Sequence, residues 1–167
     1  GNWEQARLVT GQAISIGLLL GVVLAIGGYW LSPAAVALTG AGPEVVHLAG
    51  GILEVVFLFT PFYLVMSIGN SILRVMGQTR LVFYMTTANN ILALGVSYLL
   101  IFVGLGGLPM AAYGAAWGLA FSQLSGGLIA LAALIYHPQV RLRWSDVCQY
   151  RAELVTVIFR ISSPVAL

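Results

Sequence analysis

Charged side chains are scarce in this sequence: they make up 7% of its 167 residues, and lysine is absent. A soluble globular domain carries roughly 25% charged residues, because it needs them to cover its surface. Hydrophobic residues reach 60% here, and the mean hydropathy is +0.98. The composition therefore excludes a soluble domain and indicates a protein that lies in a bilayer.

Cysteine and histidine are too few to build a reactive or metal-binding centre. Cys148 is the single cysteine, which excludes an intrachain disulfide and a cysteine-based metal site. His47 and His137 lie too far apart to form a local ligand pair. The sequence has no phosphate-binding glycine loop, nucleophile elbow or HExxH motif, and no dense basic cluster for nucleic acid. We therefore predict a protein that is not an enzyme, with no metal, no cofactor and no nucleic-acid partner.

Long apolar segments dominate the chain. Inside a bilayer the backbone must satisfy its own polar groups, which leaves helices or closed barrels. Apolar stretches of about 20 residues match a helix that crosses ~30 Å of hydrocarbon, whereas barrel strands need only about 9–11 residues. We predict an all-α polytopic membrane helix bundle with four spans, at about 8–31, 45–73, 81–103 and 111–136. Ser32-Pro33 is expected to end the first span, and Pro61 to kink the second and act as a hinge.

The end of the chain, after the fourth predicted span, has a different pattern. Apolar residues recur at helical spacing over 139–160, which predicts an amphipathic connector on the membrane surface. Residues 161–167 are expected to begin a fifth span, and residues 1–138 to form part of an N-terminal transmembrane lobe. Because the sequence opens on Gly1 and stops at Leu167, shortly after an apolar segment begins, we expect a part of a longer protein.

Arginine placement predicts the orientation. The loops near Gly40 and Gly106 carry no arginine, and all seven arginines fall on the opposite side of the four-span arrangement. They are Arg7, Arg74, Arg80, Arg141, Arg143, Arg151 and Arg160. By the positive-inside rule the arginine side is cytoplasmic. We expect a multi-pass protein of the plasma membrane, which in a bacterium is the inner membrane.

Small residues recur every four positions on two spans, and such ridges let helix backbones approach closely. They are Gly17, Gly21 and Ala25 in the first span, and Gly114, Gly118, Ser122, Gly126 and Ala130 in the fourth. We predict tight helix packing along both ridges; the alternative is that the ridges also let helices slide during transport.

Polar side chains form a stripe on the third span. Thr86, Asn90 and Ser97 fall on one narrow helix face, and Asn89 flanks it. Amides in the hydrocarbon zone are costly unless they are paired or hydrated. The stripe is expected either to bond to a neighbouring helix or to line a water-filled cavity. Gln123 in the fourth span is expected to bond to a neighbouring helix, and the alternative is that it contacts the substrate.

Glu54 is the one acid deep within a predicted span. It lies nine residues past Val45, about 13–14 Å along the helix. Intramembrane acids rarely face lipid and often mark proton or ion routes. Glu54 is therefore a candidate for proton exchange, and the alternative is a hydrogen-bonded packing residue or one that reaches the outer interface.

Several segments resemble, in order and spacing, the multidrug and toxic compound extrusion transporters. The run LRVMGQTR at 73–80 resembles that family's L-R-G-x-G-D-T-R turn, and residues 90–102 resemble its N-L-L-N-I-V-L-D-Y-L-L-I-F helix. The run YGAA at 113–116, with Ser122-Gln123 after it, is similar to the G-V-A-G-A-A-x-A-T-x-x-S-Q pattern. Residues 160–164 resemble the start of the family's second half, and residues 2–7 the turn before its third helix.

The resemblance implies that the four spans are helices three to six of a twelve-helix transporter, with two lobes facing a central cavity. It implies export of small organic cations in exchange for protons or sodium ions, and the remaining helices as partners. Ala93 and Ser97 stand where the family often has asparagine and aspartate, while Asn90 matches the family's preceding asparagine. A lipid-linked saccharide flippase of the same superfamily and a non-transporting membrane scaffold are the alternatives.

Overall fold

The computed structural model describes residues 3–102 and 108–136, with side chains described over 7–102 and 113–136. Five α-helices follow one another: α1 Trp3–Ala37, α2 Pro43–Leu58, α3 Thr60–Val75, α4 Thr79–Phe102 and α5 Leu108–Tyr136. The all-helical class is confirmed. The predicted connector at 139–160 and the fifth span at 161–167 lie outside the described residues.

Three of the described helices, α1, α4 and α5, are long and apolar enough to cross a membrane, and the pair α2–α3 makes a fourth span if it is counted as one. The axes of α2 and α3 differ by 48°. The expected kink is therefore present, but the helix breaks at Phe59, two residues before Pro61. Pro61 occupies the first turn of α3, where its missing N–H breaks no helical hydrogen bond.

α1 continues through Pro33 to Ala37, so the expectation that Ser32-Pro33 ends the helix is wrong. Proline removes one backbone donor, but membrane helices tolerate it where neighbouring groups support the backbone. The Ser32 hydroxyl donates to the carbonyl of Gly28 at 2.5 Å, whereas the carbonyl that loses its helical donor at Pro33 is that of Tyr29. Pro33 also packs against α2, where a methyl group at Gly50 would lie 3.3 Å from the Cα of Pro33.

The turn between α3 and α4 has the geometry of a Schellman cap. Gly77 adopts a φ of +78°, which only glycine reaches without strain. Its N–H donates to the carbonyl of Arg74, and the N–H of Gln78 donates to that of Leu73 at 2.9 Å. Because these bonds satisfy the last carbonyls of α3, the chain reverses within three residues.

The helices form a row rather than a closed bundle. Over the described residues, α1 packs on α2 and α3, which in turn pack on α5, and α5 packs on α4. α5 thus separates α1, α2 and α3 from most of α4. A buried apolar cluster joins the start of α1, the α3–α4 turn and the end of α5 through Ile14, Leu73, Val82 and Leu134. Arg7, Arg74 and Arg80 therefore lie at this same end of the row.

Glycine positions allow the close approach of these helices, as the small-residue ridges predicted. Gly21 of α1 abuts the backbone of Pro61, and Gly118 of α5 abuts Ser97 of α4. Gly127 lies against the backbone of Phe62 on the other side of α5. The packing prediction is confirmed for both ridges, whose described members are all buried.

Candidate functional site: a buried polar interface and an outer cleft

Asn89 is the centre of a polar cluster between α4 and α5. Its side chain is 5% exposed. Its Nδ2 donates to the hydroxyl of Ser122 at 2.8 Å, and Ser125 donates to its Oδ1 at 2.8 Å. The backbone carbonyl of Ser122, 3.1 Å from the Ser125 hydroxyl, is an alternative acceptor for its single proton. The cluster therefore satisfies a buried amide through two side chains of one neighbouring helix.

A small cavity of about 10 Å³ adjoins this cluster and has room for about one water molecule. Asn70 of α3 and Thr86 of α4 line it together with Asn89, and Met66 lies against the amide. The hydroxyl of Thr86 is buried and has no hydrogen-bond partner among the described residues. The cavity thus carries an unsatisfied polar atom where three helices meet.

The stripe predicted on α4 divides between two environments. Thr86 is half-buried beside the small cavity, and Ser97 is half-buried against Gly118. Asn90 lies on the exposed side of α4. The stripe is thus at the edge of the α4–α5 interface, whose middle is formed by Val82 and Asn89, the two buried residues of α4. That the stripe lines an aqueous pathway stays a prediction.

The sequence pattern placed Asn89 only at the flank of the stripe and did not predict that it would be the buried amide of α4. The available signal was its seven-residue spacing from Val82, which places both side chains on one helix face. Gln123 of α5 is 9% exposed, and its Oε1 has no hydrogen-bond partner in the described part of the chain. Gln123 does not join the Asn89 cluster, so the structure separates these two buried amides.

An open cleft of about 520 Å³ lies at the opposite end of the row from the arginines of the described helices. Glu54 and His47 of α2 line this cleft, and Tyr113 of α5 closes one side. The cleft is also bordered by Pro33 at the end of α1 and by Pro43 at the start of α2. Among the described residues Glu54 is thus half-buried in the wall of an open cleft, and its part in proton exchange stays a prediction.

The break between α2 and α3 is enclosed by neighbouring helices. A methyl group at Gly21 would lie 2.5 Å from the Cα of Pro61, and one at Gly127 would lie 2.7 Å from the carbonyl oxygen of Phe62. Phe59 packs edge-on against the ring of Trp117, with ring centroids 6.1 Å apart. Both α1 and α5 therefore bear directly on the bend, which makes it a candidate hinge.

Metal ligation finds no support in residues 3–102 and 108–136, where no three histidine, cysteine, aspartate or glutamate side chains come together. Cys148 and His137 lie outside that part of the chain.

Comparison with known proteins places these features in a family. The family model described as MatE matches residues 1–99. The chain is 26% identical over 134 residues to the probable multidrug resistance protein YoeA of Bacillus subtilis, a match that covers 80% of this chain. The chain spans 29% of the length of that relative. No solved structure matches the chain significantly.

Proposed function

Because the chain belongs to the MatE family, we propose that it forms part of a secondary active antiporter of the plasma membrane. This antiporter exports small organic cations in exchange for protons or sodium ions by alternating access. The remaining helices of the same transporter complete its pathway. The name of the Bacillus subtilis relative, a probable multidrug resistance protein, supports organic compounds as the substrates.

The observation that carries the proposal is the position of Glu54. It lies eleven residues after Pro43, about 16 Å along α2, yet it lines an open cleft. A carboxylate at that depth is costly unless it serves a charge-carrying role or reaches water. A carrier of cations and protons needs such a group, whereas a membrane scaffold does not.

Thr86, Asn90, Ser97 and Gln123 supply uncharged polar contacts along the proposed pathway. Asn90 is exposed and lies 100° around α4 from the buried Asn89, on a side that no described helix covers. We propose that this side faces the central cavity between the two lobes. The bend at Phe59 and Pro61 then serves as the hinge about which the two halves of the second span change their angle.

Glu54→Gln is expected to lower proton-driven export by roughly tenfold, because glutamine keeps the size and hydrogen-bonding capacity of the side chain but cannot exchange a proton. The measurement is ethidium efflux from vesicles that contain the full-length transporter, with the driving pH gradient varied. Glu44→Gln is the matched control, since Glu44 is exposed in the first turn of the same helix. Wild-type rates with an unchanged pH dependence in Glu54→Gln would make Glu54 structural.

Absence of any gradient-driven efflux in the wild-type protein, under either a proton or a sodium gradient, would contradict the antiporter itself. The same vesicles decide the coupling ion, because only the gradient of that ion drives export.

Asn90→Ala is expected to reduce export about threefold to tenfold, the equivalent of one lost hydrogen bond to the substrate or its water. Its effect on stability should be small because the side chain is exposed. Ser71→Ala is the control: among the described residues, the exposed hydroxyl of Ser71 bonds only to the carbonyl of Ser67 in its own helix. Equal efflux by Asn90→Ala and wild type would remove Asn90 from the pathway.

A further inference from the structure

The open cleft beside Glu54, here called the outer cleft because the arginine pattern predicts that its end of the row faces away from the cytoplasm, brings together three chemically different side chains. His47, Gly51 and Glu54 follow one another on the same face of α2, at spacings of four and three residues. The phenol of Tyr113 packs against Gly51, so that a methyl group at this position would overlap its hydroxyl. Because position 51 is glycine, the side chain of Tyr113 fits between His47, one helical turn earlier, and Glu54, on the next turn.

The charge of Glu54 is not neutralised within the described part of the chain, where its carboxylate makes no hydrogen bond or ion pair. Arg7, Arg74 and Arg80, the arginines of the described helices, lie at the other end of the row. Glu44, the other acid of α2, is exposed near the start of the helix and does not line the cleft. The cleft therefore presents one carboxylate to whatever occupies it.

The size and lining of the cleft limit the class of occupant. Its volume of about 520 Å³ falls within the ≈ 300–1,000 Å³ of sites for small organic molecules. Pro33 and Val46 supply apolar surface, and the ring of Tyr113 can face a cation. A metal ion would need further ligands, and an anion would be repelled by Glu54. An organic cation with apolar substituents satisfies all of these surfaces at once.

We infer that the outer cleft is a binding site for a monovalent organic ammonium or phosphonium ion, held by the Glu54 carboxylate and the Tyr113 ring. The inference rests on the proposed function for its ligand class. It places a second cation site on the outer surface of this lobe, away from the stripe on α4.

The test measures occupancy of the cleft directly, without transport. His47→Cys is introduced into the full-length transporter, in a variant lacking other cysteines, and is labelled from outside with a membrane-impermeant maleimide in phosphatidylglycerol vesicles. Tetraphenylphosphonium is expected to slow the labelling. Adding Glu54→Gln should raise the concentration for half-protection about tenfold, because the counter-charge is gone. Glu44→Gln should leave it within about twofold, since an exposed charge is screened.

Three outcomes would overturn the inference: no labelling of His47→Cys from outside, no protection by tetraphenylphosphonium, or equal protection with Glu54→Gln. Leu38→Cys controls for general effects of the cation on labelling, because Leu38 is 90% exposed and lies outside the cleft. Its labelling should not change. If tetraphenylphosphonium protects His47→Cys but the protein does not export ethidium, the binding site is supported and the antiporter is contradicted. Failure of the site and failure of the antiporter can therefore be distinguished.

A parallel preparation with phosphatidylethanolamine identifies the source of the cation. If this lipid alone slows labelling of His47→Cys, and Glu54→Gln abolishes that effect, the ammonium in the cleft is a lipid headgroup. If labelling is slowed only by tetraphenylphosphonium, the cleft takes soluble cations. Both results support the assigned chemistry and require Glu54.

Discussion

Replacing Gly21 with alanine is expected to destabilise the protein by about 1–3 kcal/mol, the range for overpacking a close contact. The added methyl group would lie 2.5 Å from the Cα of Pro61 and 3.1 Å from its nitrogen. These are backbone atoms at the start of α3, so no side-chain rotation can relieve the overlap. α1 would have to move away from the bend, and contacts along both helices would weaken.

Two other glycines of α1 provide graded controls for this prediction. At Gly28 the nearest atoms to an added methyl group belong to the side chain of Phe57 rather than to backbone. They include Cγ, which ring rotation leaves in place, so relief requires a new χ1 rotamer of Phe57 and an intermediate loss is expected. At Gly27 it would meet nothing within 4 Å, so alanine should be tolerated and should favour the helix. The measurement is the thermal unfolding midpoint of each purified full-length variant in detergent. Equal midpoints for Gly21→Ala and Gly27→Ala would show that α1 does not bear on Pro61.

Asn89→Ala is expected to cost about 1–2 kcal/mol of unfolding free energy, because it removes two buried hydrogen bonds between α4 and α5. The loss also leaves the hydroxyls of Ser122 and Ser125 without this partner inside the α4–α5 interface. α4 depends strongly on this contact, since over the described residues only Val82 and Asn89 of that helix are buried.

Asn90→Ala is the matched control on the same helix, because the two variants should affect different properties of the protein. Asn89→Ala should lower the unfolding midpoint, whereas Asn90→Ala should leave the midpoint near wild type and reduce export. A double-mutant cycle with Ser125→Ala tests the bond itself, because coupled partners give less than additive losses. Additive losses, or a larger drop in stability for Asn90→Ala, would contradict the assignment of Asn89 as the buried amide.

The sequence alone determined the class of this protein, because that class follows from local properties. A charged fraction of 7% and long apolar runs require a bilayer and helices whatever their arrangement. The glycine ridges on α1 and α5 were readable because helical periodicity places every fourth residue on one side. The family was also visible, since motifs such as LRVMGQTR at 73–80 keep their order along the chain.

Tertiary structure decided which side of each helix meets a partner. Asn89 and Asn90 differ by 100° around α4, and only the position of α5 shows that Asn89 is the buried one. The contacts that Gly21 and Gly127, from two other helices, make with the bend were likewise visible only in the folded structure. The outer cleft joins Glu54 to Tyr113, which lie 59 residues apart. Periodicity gives the direction of a side chain about its own helix axis, but the rotation and order of the helices arise only from packing.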